Sequence, residues 1–308
     1  MKQVLERIRL GALSVGLGLS VCWTAWAQEI DNPDVFAVAA MVAEEVELVR
    51  EFMGRPFDDS PRLPASDVSQ HVVYFQAQSL FRKLNQLAQE QAAIERVAAP
   101  PVPEGDLSPA DTIIVVEDAL AQVRTVKRAL GIDAEADVFP PTGSSATGTF
   151  MTLIDINRQV NLLMAAPPRP ADVFGQVTLS AFFAAGLLSH LGESEILPPA
   201  PPFDGYKRPA DVYGVLLRCA EILGRIGDAT GAPTLHISPR RNIPDDIEPG
   251  HVYDISTILV GGLALVSSTL EAEDVFPTLE TPERIFPTQV YARANVLLQQ
   301  LEQIEQLL

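Results

Sequence analysis

Apolar residues recur along this chain with the spacing of one face of a helix. Counted from an anchor residue, usually valine, positions +4, +7, +11 and +14 are nearly always apolar or small. Residues three and four positions apart lie on the same side of an α-helix, so each copy of this pattern predicts an amphipathic helix. The anchors of the six best copies are Val35, Thr112, Val173, Val212, Val252 and Val290.

Most copies begin with a short motif that starts with proline, as in Pro209-Ala210-Asp211-Val212-Tyr213. Proline suits the first helical turn, where its missing N–H has no helical partner. An acidic residue in that turn meets free N–H groups and the positive end of the helix dipole. The motifs therefore predict helix starts. We interpret their acids as capping groups, with a shared ligand site as the alternative: Asp34, Asp111, Asp172 and Asp211.

Two parts of the chain depart from the pattern. A copy anchored at Val68 has Arg82 at its last apolar position. We expect its register to shift to another stripe, formed by Leu80, Leu84 and Leu87. The interval between Thr112 and Val173 is too long for one unit and predicts an extra helix over about 150–164. Its stripe is Leu153, Asn157, Val160 and Met164.

The last three intervals between anchors are 39, 40 and 38 residues, a spacing typical of repeated supersecondary units. Proline-rich linkers such as 99–103 and 197–203 separate the helices. The sequence therefore predicts an all-α fold: a degenerate repeat of about eight amphipathic helices joined by long Pro-rich linkers, packed as a bundle or short solenoid. A helix of 20 residues is about 30 Å long, and a linker of 15 to 20 residues is long enough to return along it. Successive helices can therefore run parallel or antiparallel.

Residues 173–192 and 255–270 are almost free of charge. Such a helix either crosses a membrane or lies at the centre of a helical bundle. Both segments are in register with amphipathic copies, and both are flanked by acidic rather than basic residues. We therefore expect buried helices and no stable membrane insertion of the mature chain.

The N-terminus has the three parts of a secretory signal. Basic residues lie within positions 1–9, an uncharged run covers 10–28, and Ala25-Trp26-Ala27 provides small residues before a cut at Gln28. The expected organisation is a signal peptide over 1–27 and one helical-repeat domain over 28–308, with a periplasmic or secreted location. An uncleaved anchor and lipidation at Cys22 are the alternatives.

The chain has a net charge of −18, which becomes −20 without residues 1–27. Nucleic acid is excluded as a partner, because phosphate binding requires a basic face. Only two cysteines are present, and removal of Cys22 leaves Cys219 without a disulfide partner. We expect Cys219 to be a buried and unreactive packing residue on the apolar face of its helix.

No catalytic or metal-binding motif appears in the sequence. The four histidines lack metal-ligand spacing, and residues 143–148 form neither a nucleophile elbow nor a phosphate-binding loop. The expectation is no cofactor and no metal, and an enzyme is less favoured than a binding protein.

Two sets of residues are candidates for a ligand site. The first consists of the aromatic residues that recur at helix starts: Phe174, Tyr213, Tyr253 and Tyr291. Parallel helices would bring them to one end, either as packing against the linkers or as an aromatic-lined site. The second is the pair Arg240 and Arg241, in a linker that also contains two aspartates. This pair is either a local ion-pair cluster or a recognition loop for an anionic group.

The sequence thus favours a non-enzymatic protein-binding or scaffold component whose partner is a protein of the cell envelope. The alternative is a periplasmic protein that binds a small ligand or cation at the aromatic and acidic helix starts.

Overall fold

A computed structural model describes residues 30–57, 65–103, 105–136, 144–166, 168–232, 234, 247–273, 275, 277 and 282–308. The expected signal segment, Arg240 and Arg241 lie outside these residues. Helices account for 69% of the described residues and strands for none, which confirms the all-α prediction. In chain order the helices are α1 (Asn32–Phe52), α2 (Gln70–Ala92), α3 (Pro109–Ala129), α4 (Ala146–Leu163), α5 (Pro170–His190), α6 (Pro209–Thr230), α7 (Pro249–Thr269) and α8 (Pro287–Leu307).

The proline motifs are helix starts, as predicted, and proline occupies the first turn of six helices. Each acid of the motifs accepts a hydrogen bond from the backbone N–H of the residue three positions before it. For Asp172 the N···O distance is 2.8 Å, and for Asp211 it is 2.7 Å. The same bond forms at Asp34 and Asp111. These carboxylates are capping groups, because they satisfy donors that the helix itself leaves unpaired.

The apolar stripes form the core. In all six best copies, every residue at positions +4, +7, +11 and +14 is at most 4% exposed. The helix of the copy at Val68 begins at Gln70 and is buried on both stripes: Val72, Phe75 and Ser79 are at most 3% exposed, and Leu80, Leu84 and Leu87 are fully buried. The extra helix α4 starts four residues earlier than predicted because Ser145 caps it by accepting the Gly148 N–H.

The described helices pack as two four-helix bundles with the same connectivity. The first bundle contains α1 to α4, and the second contains α5 to α8. Seen in cross-section, the first and second helices of each bundle lie at diagonally opposite corners, and the third and fourth occupy the other diagonal. Each helix of one diagonal therefore contacts both helices of the other. Four of the helix stripes meet in each core.

The four helices of each bundle run parallel, which the sequence left open. In the second bundle, the Lys207 N–H just before α6 donates to Thr288 at the start of α8, while Arg225 and Glu305 pair near the ends of the same helices. In the first bundle, α2 and α4 are in contact at their starts, and Glu90 near the end of α2 accepts the Ala165 N–H just after α4. The linkers therefore return along the bundle, and all helix starts of a bundle lie at one end.

Helix α7 joins the two bundles by packing against α2 and α4. A Cβ at Gly261 would lie 3.0 Å from the Val72 Cα, so the glycine allows a close backbone approach. Contacts of Lys83 with Asp254 and of Val72 with Gly261 show that α2 and α7 are antiparallel. The bundles therefore point in opposite directions. Among the described helices, α5 and α7 are long and apolar enough to cross a membrane; their most apolar windows are 56% and 72% buried inside the protein.

Candidate functional site

The parallel helices do bring the predicted aromatic residues to one end of the second bundle. Phe174, Tyr213 and Tyr253 are 5%, 8% and 5% exposed, so their rings belong mainly to the core. Tyr291 is half-buried. These rings therefore leave little surface for a ligand.

Tyr253 lies apart from the other three, because the start of α7 faces the first bundle. Asp254, the next residue, forms a buried ion pair with Lys83 of α2, with 2.5 Å between the Lys83 Nζ and the Asp254 Oδ1. The same ammonium lies 5.6 Å from the centre of the Tyr253 ring. Burial raises the pKa of Tyr253 and lowers the pKa of Lys83. This cluster could not be predicted from the sequence, because Lys83 and Asp254 are 171 positions apart.

Tyr291 takes part in a contact that fixes the linker before α6. Its ring packs edge-on against Phe203 at a centroid distance of 5.2 Å. The Lys207 ammonium lies 4.8 Å from the Tyr291 centroid and 5.6 Å from that of Phe203, within the range of cation–π attraction. This contact holds the linker before α6 against the start of α8.

An open apolar groove of about 280 Å³ lies beside Phe174. We call it the α5 groove, and its lining residues are Ala171, Phe174, Gly175, Thr178, Leu179, Phe182 and Ile285. All except Ile285 lie on one side of α5, and Ile285 belongs to the linker before α8. Arg293 of α8 borders the groove, because its guanidinium donates to Thr178 and stacks 4.8 Å above the Phe174 ring. Burial lowers the pKa of Arg293.

Two aromatic side chains are exposed to solvent at the same end of the bundle as the α5 groove. Phe286 follows the groove residue Ile285 and is 55% exposed, and Tyr206 is 99% exposed. The hydrogen bond from the Lys207 N–H to Thr288 brings their linkers together. We call the α5 groove with Tyr206 and Phe286 the helix-start surface. Of the predicted site residues that the structure describes, only Phe174 lines it. The repeat pattern could not indicate the others, because it marks the buried face of each helix and not the exposed one.

Charge differs between the two ends of the second bundle. Around the helix-start surface, five basic residues face four acidic ones: Arg169, Lys207, Arg208, Arg284 and Arg293, against Asp172, Asp204, Asp211 and Glu283. At the opposite end, the described residues around the four helix ends include six acids and one arginine, Arg225, which pairs with Glu305. Those acids are Glu193, Glu195, Asp228, Glu271, Glu273 and Glu305. The helix-start surface is thus a region close to neutral in a strongly acidic protein.

The rest of the described chain offers little reactive chemistry. No group of three or more His, Cys, Asp and Glu side chains there is placed to hold a metal ion. Cys219 is fully buried, and burial raises the pKa of its thiol, which suppresses the reactive thiolate. The expectation of an unreactive packing cysteine agrees with this environment.

Comparison with known proteins gives no family for the chain: no protein-family model, no curated protein and no solved structure matches it.

Proposed function

We propose that this chain is a non-enzymatic binding component that works outside the cytoplasm and binds a partner protein of the cell envelope through its helix-start surface. The observation that carries the proposal is the α5 groove, an open apolar depression at the same end of the bundle as two exposed aromatic side chains, Tyr206 and Phe286. The location rests on the signal-like pattern of residues 1–27.

The size and shape of the groove favour a protein partner over a small ligand. Small-molecule sites are clefts of roughly 300–1,000 Å³ that enclose most of the ligand. The α5 groove, at about 280 Å³, is below that range and open to solvent. A groove of this kind suits one or two side chains of a protein whose remaining contact surface lies outside it.

The composition of the surface supports the same proposal. The residues that contribute most to protein–protein affinity are enriched in tyrosine, tryptophan and arginine, around apolar pockets. Phe286 and Arg284 are the sequence neighbours of the groove residue Ile285, and Arg169 lies two residues before Ala171. Tyr206 is exposed at the same end of the bundle.

The test is affinity capture of partner proteins from an envelope extract with matched variants. Leu179→Asp places a charge in the groove, and Tyr206→Ala removes the most exposed aromatic side chain. Ile114→Asp is the control, because Ile114 is also an exposed apolar residue, 56% accessible, on α3 of the first bundle. Circular dichroism and melting temperature verify that each variant folds.

We expect Leu179→Asp to abolish capture of the protein bound by the wild type, Tyr206→Ala to reduce it, and Ile114→Asp to leave it unchanged. Equal capture by all four proteins would contradict the proposal. A melting shift with small metabolites that is lost in Leu179→Asp, without any captured protein, would favour the small-ligand alternative.

A further inference from the structure

We infer that the partner segment which enters the α5 groove carries an apolar anchor side chain with carboxylates close to it in sequence. This inference rests on the proposed function and specifies the chemistry of the partner.

The groove lining accounts for the apolar anchor side chain that we infer in the partner segment. Its lining contains no charged residue, and Leu179, Phe182 and Ile285 are half-buried side chains that still present surface to solvent. An anchor that covers them removes apolar area on both partners from water, which is the main favourable contribution to such contacts. Aromatic and large aliphatic side chains therefore suit the groove best.

Two arginines near the groove in sequence account for the carboxylates that we infer in the partner segment. Arg169 lies two residues before Ala171 and its side chain is 69% exposed, and Arg284 directly precedes Ile285 and is exposed. A guanidinium binds a carboxylate with two parallel N–H···O hydrogen bonds. Carboxylates flanking the anchor would reach these groups once the anchor occupies the groove.

The acids around the surface do not fully offset these arginines. Asp172 and Asp211 accept hydrogen bonds from the backbone N–H groups of Arg169 and Arg208, and Asp172 also pairs with the Arg169 guanidinium at 3.3 Å. These two carboxylates therefore interact mainly with the N–H groups at their own helix starts. The parallel starts of α5, α6 and α8 add the positive ends of three helix dipoles to the same surface.

The opposite end of the second bundle excludes the same partner. Its excess of acidic residues and the negative ends of the parallel helices repel a carboxylate-rich segment. The charge difference between the ends therefore orients an acidic segment toward the groove and away from the rest of this acidic chain.

The test is selection of binders from a random-peptide library displayed on phage, with the full chain as bait. Three baits are compared: wild type, Leu179→Asp, and the double variant Arg169→Gln/Arg284→Gln. Selected peptides are synthesised, and their affinities for each bait are measured by fluorescence anisotropy at low and high salt.

We expect wild type to select peptides with an aromatic or large aliphatic residue flanked by Asp or Glu. The double variant should bind these peptides about two- to fivefold more weakly per arginine removed, with a smaller salt dependence, as for exposed charge pairs. Wild type could instead select peptides whose binding depends on Leu179 but which are enriched in basic residues or in no charged residue. That result would overturn the inference and leave the proposed function intact. Selection that is identical for wild type and Leu179→Asp would overturn both.

Discussion

The ion pair between Lys83 and Asp254 lies at the joint between the two bundles. The two side chains are 3% and 12% exposed, and the Asn161 side-chain amide donates to the second Asp254 oxygen at 3.4 Å. Removing one partner leaves a buried charge without compensation, which typically costs about 3–5 kcal/mol. Replacing both partners by apolar residues of similar size is often neutral or stabilising, because the cost of desolvating both charges disappears.

We therefore expect Asp254→Leu to lower the free energy of unfolding by about 3–5 kcal/mol and Lys83→Met/Asp254→Leu to recover most of that loss. Urea unfolding followed by far-UV circular dichroism measures both values. The control is the exposed pair Arg218–Glu302, whose side chains are 61% and 42% exposed. Its coupling should be about 0.2–1 kcal/mol. A double variant as unstable as Asp254→Leu alone would refute this explanation, because the loss would then come from packing.

The same pair predicts a dependence of stability on pH. Burial lowers the pKa of Lys83 in the folded protein, whereas an unfolded chain titrates at about 10.4. Between these two pKa values the unfolded chain holds more protons at this site, so stability rises with pH across the window. Lys83→Met/Asp254→Leu lacks the group and should show a smaller rise than wild type in urea melts at increasing alkaline pH. Parallel pH profiles for the two proteins would contradict the lowered pKa.

Two further pairs of substitutions test the helix orientations. Leu216 is fully buried and Arg218 is exposed on the same helix, so Leu216→Ala should cost about 2–5 kcal/mol and Arg218→Ala less than about 1 kcal/mol; equal urea midpoints would mean that the stripe is misassigned. A Cβ at Gly261 would lie 3.0 Å from the Val72 Cα, whereas nothing lies within 4 Å at Gly175. Gly261→Ala should therefore destabilise the protein, and Gly175→Ala should stabilise it by up to about 1 kcal/mol; midpoints that move in the same direction would contradict the packing of α2 against α7.

The helices could be predicted from the sequence because each depends on local chemistry. The apolar spacing of a copy such as Val212 to Ile226 determines the buried face, and a proline with an acid such as Asp211 determines the start. The arrangement of the helices could not be predicted in the same way. It depends on contacts such as Gly261 with Val72, which join positions far apart in the chain and have no periodic signal.

The candidate site was predictable only in part. The repeat motif indicated that Phe174 and Tyr291 lie at helix starts, but it left open whether those starts share one end of a bundle and how much of each ring is buried. The exposed residues Tyr206 and Phe286 lie outside the motif, in linkers that come together only because the helices are parallel. A surface assembled from separate linkers has no signature in a single sequence.

The parallel arrangement is the central claim, because it alone gathers the helix starts into one surface. It is tested most directly by cysteine pairs in α6 and α8. Lys207→Cys with Thr288→Cys joins two helix starts, where the Lys207 N lies 3.3 Å from the Thr288 Oγ1. Lys207→Cys with Glu305→Cys joins the start of α6 to the end of α8, and helices of this length separate these positions by about 30 Å. Mild oxidation should close a disulfide in the first pair and not in the second, as measured by mass spectrometry of the folded protein. A disulfide in the second pair and none in the first would contradict the parallel bundle and, with it, the helix-start surface.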